Sequence, residues 1–176
     1  MPPKRYHKAL VVLHWLLALL LVFALAMGTF VLTALPNTSP DKFGALQGHM
    51  IGGALILALT VLRLVVRLRT ARPAPATTGN AWLDRLAPLT HWVLYGLVLV
   101  MAGSGIAMSA QANLPAIVFG GAGRLPESFG EFMPRAVHGV AATLLMLAIG
   151  LHVAAAVYHQ FVRRDRLLSR MGFGPQ

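Results

Sequence analysis

The 176-residue chain contains no cysteine. That absence excludes disulfides, iron–sulfur clusters, thiolate zinc sites and covalent c-type haem attachment. Charge is scarce as well. Asp, Glu, Lys and Arg make up 11% of the residues, against roughly 25% in soluble domains. Acids are the scarcer sign, 5 against 15 bases. Apolar residues, without glycine, reach 57%, where soluble proteins run at about 45–50% with glycine included. Such a composition excludes a disordered segment, a coiled coil and a charge-covered soluble enzyme. The length suits one domain, residues 1–176.

The missing charges are missing in blocks. No Asp, Glu, Lys or Arg lies between Lys8 and Asp41, Lys42 and Arg63, Arg85 and Arg124, or Arg135 and Arg163. A helix needs about 20 mostly apolar residues to cross a bilayer, so each gap holds one crossing. The spans fall at about 9–33, 45–66, 87–109 and 136–161. The third gap is longer than one helix needs, and its tail from Gln111 to Pro115, with the glycines at 120, 121 and 123, reads as loop. Residues 34–44 and 110–134 form the loops at one end, and the Pro-rich stretch 70–80 joins the middle spans at the other. A basic start, an apolar run and Ala24-Leu25-Ala26 resemble a leader peptide. The run is long for that and carries His14, so it is read as the first span.

Four crossings place both termini on one side. That side holds Lys4, Arg5, Lys8, Arg63, Arg67, Arg69, Arg72, Arg85, Arg163, Arg164, Arg166 and Arg170, and the other holds only Lys42, Arg124 and Arg135. A split of 12 to 3 makes the terminal side cytoplasmic by the positive-inside rule. The net charge of +10 is therefore topological and argues against nucleic-acid binding. The expected fold is all-α: a four-helix transmembrane bundle with both termini cytoplasmic and lipid as its surroundings.

Of seven histidines, His7 lies outside the membrane and six, His14, His49, His91, His138, His152 and His159, fall within or at the ends of the spans. Ionisable residues at such depth are costly and usually functional. His138 and His152 are 14 residues apart. At about 100° per residue they share nearly one face, roughly 21 Å apart along the axis. His159 follows on the same face. His49, near the outer start of the second span, can face His138. His14, entering the first span from inside, can reach the level of His152. Two imidazoles facing across a bundle core suit a planar porphyrin iron, whereas a structural zinc takes four ligands. Small residues, Gly48, Gly52 and Gly53 about His49, Gly139 after His138 and Gly150 before His152, would let a flat macrocycle approach. A faint repeat, His14-Trp15 and His91-Trp92, sets His91 at the depth of His14. His91 is thus an alternative partner for His152, and spacing does not separate the two.

The ordered pieces Arg5-Tyr6, Leu13-His14-Trp15, Gly48-His49, Leu62-Arg63-Leu64, His91 with Tyr95, His138-Gly139 and Leu151-His152 through Tyr158-His159 to Arg170-Met171 resemble the bacterial cytochrome b561 family. The resemblance covers nearly the whole chain. It implies a multi-pass protein of the bacterial inner membrane with two b-type haems, one held by His49 and His138, the other by His14 and His152. It leaves His91 and His159 as candidates at a ubiquinone site near the cytoplasmic end. It further implies superoxide as electron donor at the outer face, with ubiquinone reduced in the membrane. Arg135, three residues before His138, is the outer cation best placed to attract the anion or to pair with a haem propionate. The alternatives are a quinol-linked cytochrome b passing electrons to a periplasmic acceptor or serving a larger dehydrogenase, and a non-redox histidine-lined transporter. Short loops argue for a self-contained unit without an obligate protein partner.

Overall fold

The computed structural model describes residues 3–74, 79, 81–165 and 167–172. Among the described residues there is no β-strand. Four long helices dominate: α1 Lys8–Ala26, α2 Asp41–Arg69, α3 Ala81–Gln111 and, after the short α4 Leu114–Val118, α5 Met133–Val157. α1 and α5 each run on into one π-helical segment, Met27–Leu32 and Tyr158–Arg163. The resulting apolar rods are 25, 29, 28 and 31 residues long. At about 1.5 Å per residue every one exceeds a hydrocarbon core of about 30 Å.

The helices form because lipid would leave unpaired backbone groups unsatisfied, and α3 runs on through Pro88, which has no N–H to donate. Their ends are set by local chemistry. Arg164 turns left-handed at φ 55° and stops the last rod. Buried Lys42 reaches back from the start of α2 and donates to the carbonyls of Leu32 and Leu35, which the end of α1 leaves without intrahelical partners. Helix extends further than the charge gaps indicate. α2 begins at Asp41 and α5 at Met133, so parts of the stretches read as loop are helical. Within 110–134, α4 and a 3-10 turn at Phe129–Glu131 add further helix. Of the linker 70–80, residues 75–78 and 80 lie outside the described residues.

Both chain ends meet at one end of the bundle. Tyr6 N donates to Arg170 O at 3.2 Å, and Trp15 Nε1 to Met171 O at 3.1 Å. Arg170 Nη1 donates to Ala74 O at 2.7 Å, tying in the connection between α2 and α3. We call this the terminal end. At the far end, Asn37 Nδ2 donates to Pro126 O at 2.8 Å and joins the two loops there.

Leu17, Ile56, Val98 and Leu145, one from each long helix, make the buried core at mid-bundle. Leu19, Phe23, Ile51, Leu147, Leu151 and Phe161 point outward, as lipid-facing side chains do. The close packings are α3 on α5, α1 on α2 and α2 on α3. The order round the bundle is thus α1, α2, α3, α5, and the α1/α5 seam stays open. An apolar groove of about 310 Å³ lies on that seam, lined by Val22, Leu25, Thr29, Met146, Ile149 and Gly150 among others.

Candidate haem-binding sites

Two helix pairs that do not pack closely on each other bring histidines face to face. Across the α1/α5 seam, the rings of His14 and His152 have centroids 6.2 Å apart and planes at 72°. Across the α2/α5 diagonal, His49 and His138 repeat the same 6.2 Å and 72°. His91, on α3, approaches His152 to 5.6 Å at 79°. The structure therefore brings together both histidine pairs expected from the sequence, and both candidate partners of His152.

These distances test whether an iron porphyrin fits. An imidazole nitrogen sits about 2 Å from a bound transition metal, and the ring centre roughly 1.1 Å further back, so two rings on opposite sides of one iron stand about 6.2 Å apart. Both 6.2 Å pairs meet that requirement. The 5.6 Å of His91 and His152 falls short of it. Among the described residues no group of three or more His, Asp or Glu side chains could hold an ion by itself. A porphyrin iron asks only two ligands of the protein, because the macrocycle supplies the other four.

The tautomer of one ring, His138, is set by its neighbour on α3. His138 Nδ1 lies 3.0 Å from Met101 O. A carbonyl oxygen only accepts, so Nδ1 carries the proton and Nε2 keeps its lone pair, as a metal-bound histidine requires. Ser104, buried on α3, donates to the same carbonyl at 3.0 Å and lies 3.1 Å from Nδ1. His49 Nδ1 is buried without a partner. Glycine brings helices up to these rings. A Cβ on Gly105 would stand 3.3 Å from His138 Cε1, and one on Gly28 3.6 Å from His49 Cε1. Gly52 and Gly53 differ: an added Cβ there meets no atom within 4 Å. Their smallness answers to no helix contact and leaves room beside His49.

The remaining predicted residues have distinct surroundings. Arg135 stands in the first turn of α5, with Nη1 3.1 Å from where a Gly139 Cβ would be, beside the His138 backbone. Lys42 is occupied as a cap, so of the three far-end cations it is not available to an approaching anion. His159, in the π-helical end of the last rod, gives its Nδ1 proton to Asp165 at 2.5 Å. The left-handed turn at Arg164 folds Asp165, six residues on, back onto it.

Three residues gain weight that the sequence pattern did not give them. Arg63 donates to the Tyr95 hydroxyl and sets Nη2 3.5 Å from His14 Nδ1. Arg67 lies over the rings of Trp92 and Tyr95, 5.7 and 5.9 Å from their centres. The usable signal was spacing: Arg63 follows His49 by 14 residues, the same interval that separates His152 from His138.

A membrane bundle with two pairs of histidines facing each other from separate helices, 6.2 Å between ring centres in each, has the build of a haem-carrying electron-transfer protein. Residues 5–174 match the model of the prokaryotic cytochrome b561 family. The chain belongs to that family: it is a multi-pass protein of the bacterial inner membrane, an electron-transfer cytochrome of the b-haem type. It is 28% identical to the "Probable superoxide oxidase CybB" of Yersinia pestis, over 96% of each chain. It is 28% identical to the cytochrome b562 of Cereibacter sphaeroides, over 94% of each chain. It is 26% identical to cytochrome b561 homolog 1 of Escherichia coli K12, over 95% of this chain and 96% of that one.

Proposed function

We propose that the protein carries two b-type haems, one between His14 and His152 and one between His49 and His138, and moves electrons from superoxide to ubiquinone. Two superoxide anions each give up one electron and leave as dioxygen, while one ubiquinone takes two electrons and two protons. Held by His14 and His152 and by His49 and His138, haem would supply a one-electron carrier at each level.

The observation that carries this proposal is the repeated 6.2 Å, 72° geometry at two depths of one bundle. The chain's own groups do the rest. Met101 O orients His138 and keeps its Nε2 bare. Arg135 places positive charge beside His138 at the end of the bundle where an anion would arrive, which raises the encounter rate. At the terminal end, which the basic excess makes cytoplasmic, His91 and the His159–Asp165 pair are the groups able to bond a quinone oxygen and pass protons to it. The relative named as a superoxide oxidase supports the donor.

The test is stopped-flow mixing of purified protein with superoxide, followed by addition of a short-chain ubiquinone. Haem reduction by superoxide and reoxidation by ubiquinone is the expected sequence. Haem reduced by ubiquinol and not by superoxide would overturn the direction.

A further inference from the structure

Arg63 stands at the terminal-side end of the second charge-free stretch, packed among helices where an unpaired cation is expensive. Two helices hold it beside the imidazole of a third. From α2, Nη1 donates to the hydroxyl of buried Tyr95 on α3, and the guanidinium carbon lies 5.5 Å from the centre of that ring. Nη2 points at His14 on α1 from 3.5 Å. That distance is too long to fix the tautomer of His14, so the guanidinium acts there by its charge. Arg67, one turn on, is only 8% exposed. The Nε atoms of both arginines are buried without a hydrogen-bond partner. Among the described residues neither arginine pairs with a carboxylate. The terminal-end site is thus built with two arginines that, among the described residues, have no carboxylate partner.

We propose that Arg63, positioned by Tyr95, raises the reduction potential of the His14–His152 site, so that electrons entering at the far end come to rest at the terminal end. The inference rests on the two-haem reading above. Reduction adds one negative charge to the centre. A cation held nearby in a low-dielectric bundle stabilises that charge and favours the reduced form. The far-end site is biased the other way. His138 gives its Nδ1 proton to Met101 O, which makes the imidazole a more basic ligand and favours the oxidised form. Arg135 makes no hydrogen bond to either far-end ring among the described residues, whereas Arg63 Nη2 stands 3.5 Å from His14 Nδ1. Neither Arg63 nor Tyr95 is a catalytic residue. Arg63 acts through its field on the site, and Tyr95 acts through Arg63.

The experiment is a redox titration of the purified holoprotein, followed by absorption and by the low-spin signals in electron paramagnetic resonance. The variants are Arg63→Gln, Arg63→Lys and Tyr95→Phe, with His14→Ala and His49→Ala to assign the components. Arg63→Gln lowers the potential of one component, the one lost in His14→Ala and kept in His49→Ala. Tyr95→Phe lowers the same component by less, and Arg63→Lys leaves it near the wild-type value. Unchanged potentials in both Arg63→Gln and Tyr95→Phe, or a shift in the component lost with His49, would overturn the inference. If Arg63→Gln does not take up haem, Tyr95→Phe decides alone: an unmoved potential overturns the inference, and a lowered one supports it. A wild-type protein without two low-spin components overturns the two-haem reading first, and that failure is visible before any variant is made.

Discussion

His138 gives its Nδ1 proton to the backbone carbonyl of Met101, 3.0 Å away, and so keeps Nε2 bare for a metal. The carbonyl belongs to α3, the helix packed most extensively on α5. The ring that would grip a cofactor from α5 is therefore aimed by a neighbour that grips nothing.

Gly105 is the tight point of that arrangement. A Cβ at 3.3 Å from His138 Cε1 must push the ring by a few tenths of an ångström, and a branched side chain must push it further. Gly105→Ala is expected to keep both haems while altering the far-end low-spin resonance. Gly105→Val is expected to lose the far-end haem and keep the other. A haemochrome assay of each variant, with its resonance spectrum, checks this. Two normal haems in the valine variant would show that the ring is not held where we place it.

The two far-end cations beside the bundle mouth separate by role. Lys42 is 4% exposed and caps the carbonyls of Leu32 and Leu35. Lys42→Met leaves those carbonyls unpaired and should cost roughly 2 kcal/mol. It should lower the melting temperature in detergent and leave the rate of haem reduction by superoxide as it was. A fall in that rate without loss of stability would reverse the assignment.

Arg135→Gln should do the opposite. Stability stays near wild type, the superoxide rate falls, and the remaining rate responds less to ionic strength, because electrostatic steering is screened by salt. Stopped-flow traces from low to high salt measure it. A variant with the wild-type rate and wild-type salt dependence removes the steering role.

Much of this architecture is legible in the sequence for a physical reason. Lipid forbids charges along a span, so the gaps between charges give the crossings, and helical periodicity places His138 and His152 on one face. Contacts between helices are a different matter. Nothing in the pattern tells that Arg63 meets Tyr95, 32 positions away, or that Lys42 bends back onto the end of α1. The relation of His14 and His91 to His152 is likewise a matter of three dimensions: both rings reach it, at 6.2 and 5.6 Å. The ends of α2 and α5 were missed because a charged residue can begin a helix at the membrane surface as well as end one.

Asp165 gives a test of the proposed quinone end. Its carboxylate accepts from His159 Nδ1 at 2.5 Å and lies 3.8 Å from Arg163 Nε. Asp165→Asn weakens that hold while sparing all four proposed iron ligands. Reoxidation of the reduced haems by ubiquinone should slow several-fold, with haem content and haem reduction by superoxide retained. An unchanged reoxidation rate in Asp165→Asn, and again in His159→Gln, would move the quinone elsewhere.

The most direct measurement is the haem stoichiometry of the purified chain and of single histidine variants, by pyridine haemochrome and protein determination. Two b haems per chain are predicted, falling to one in His49→Ala and to one in His14→Ala, with His91→Ala keeping both. One haem or none in the wild-type protein would contradict the account, as would two haems retained after loss of either His14 or His49.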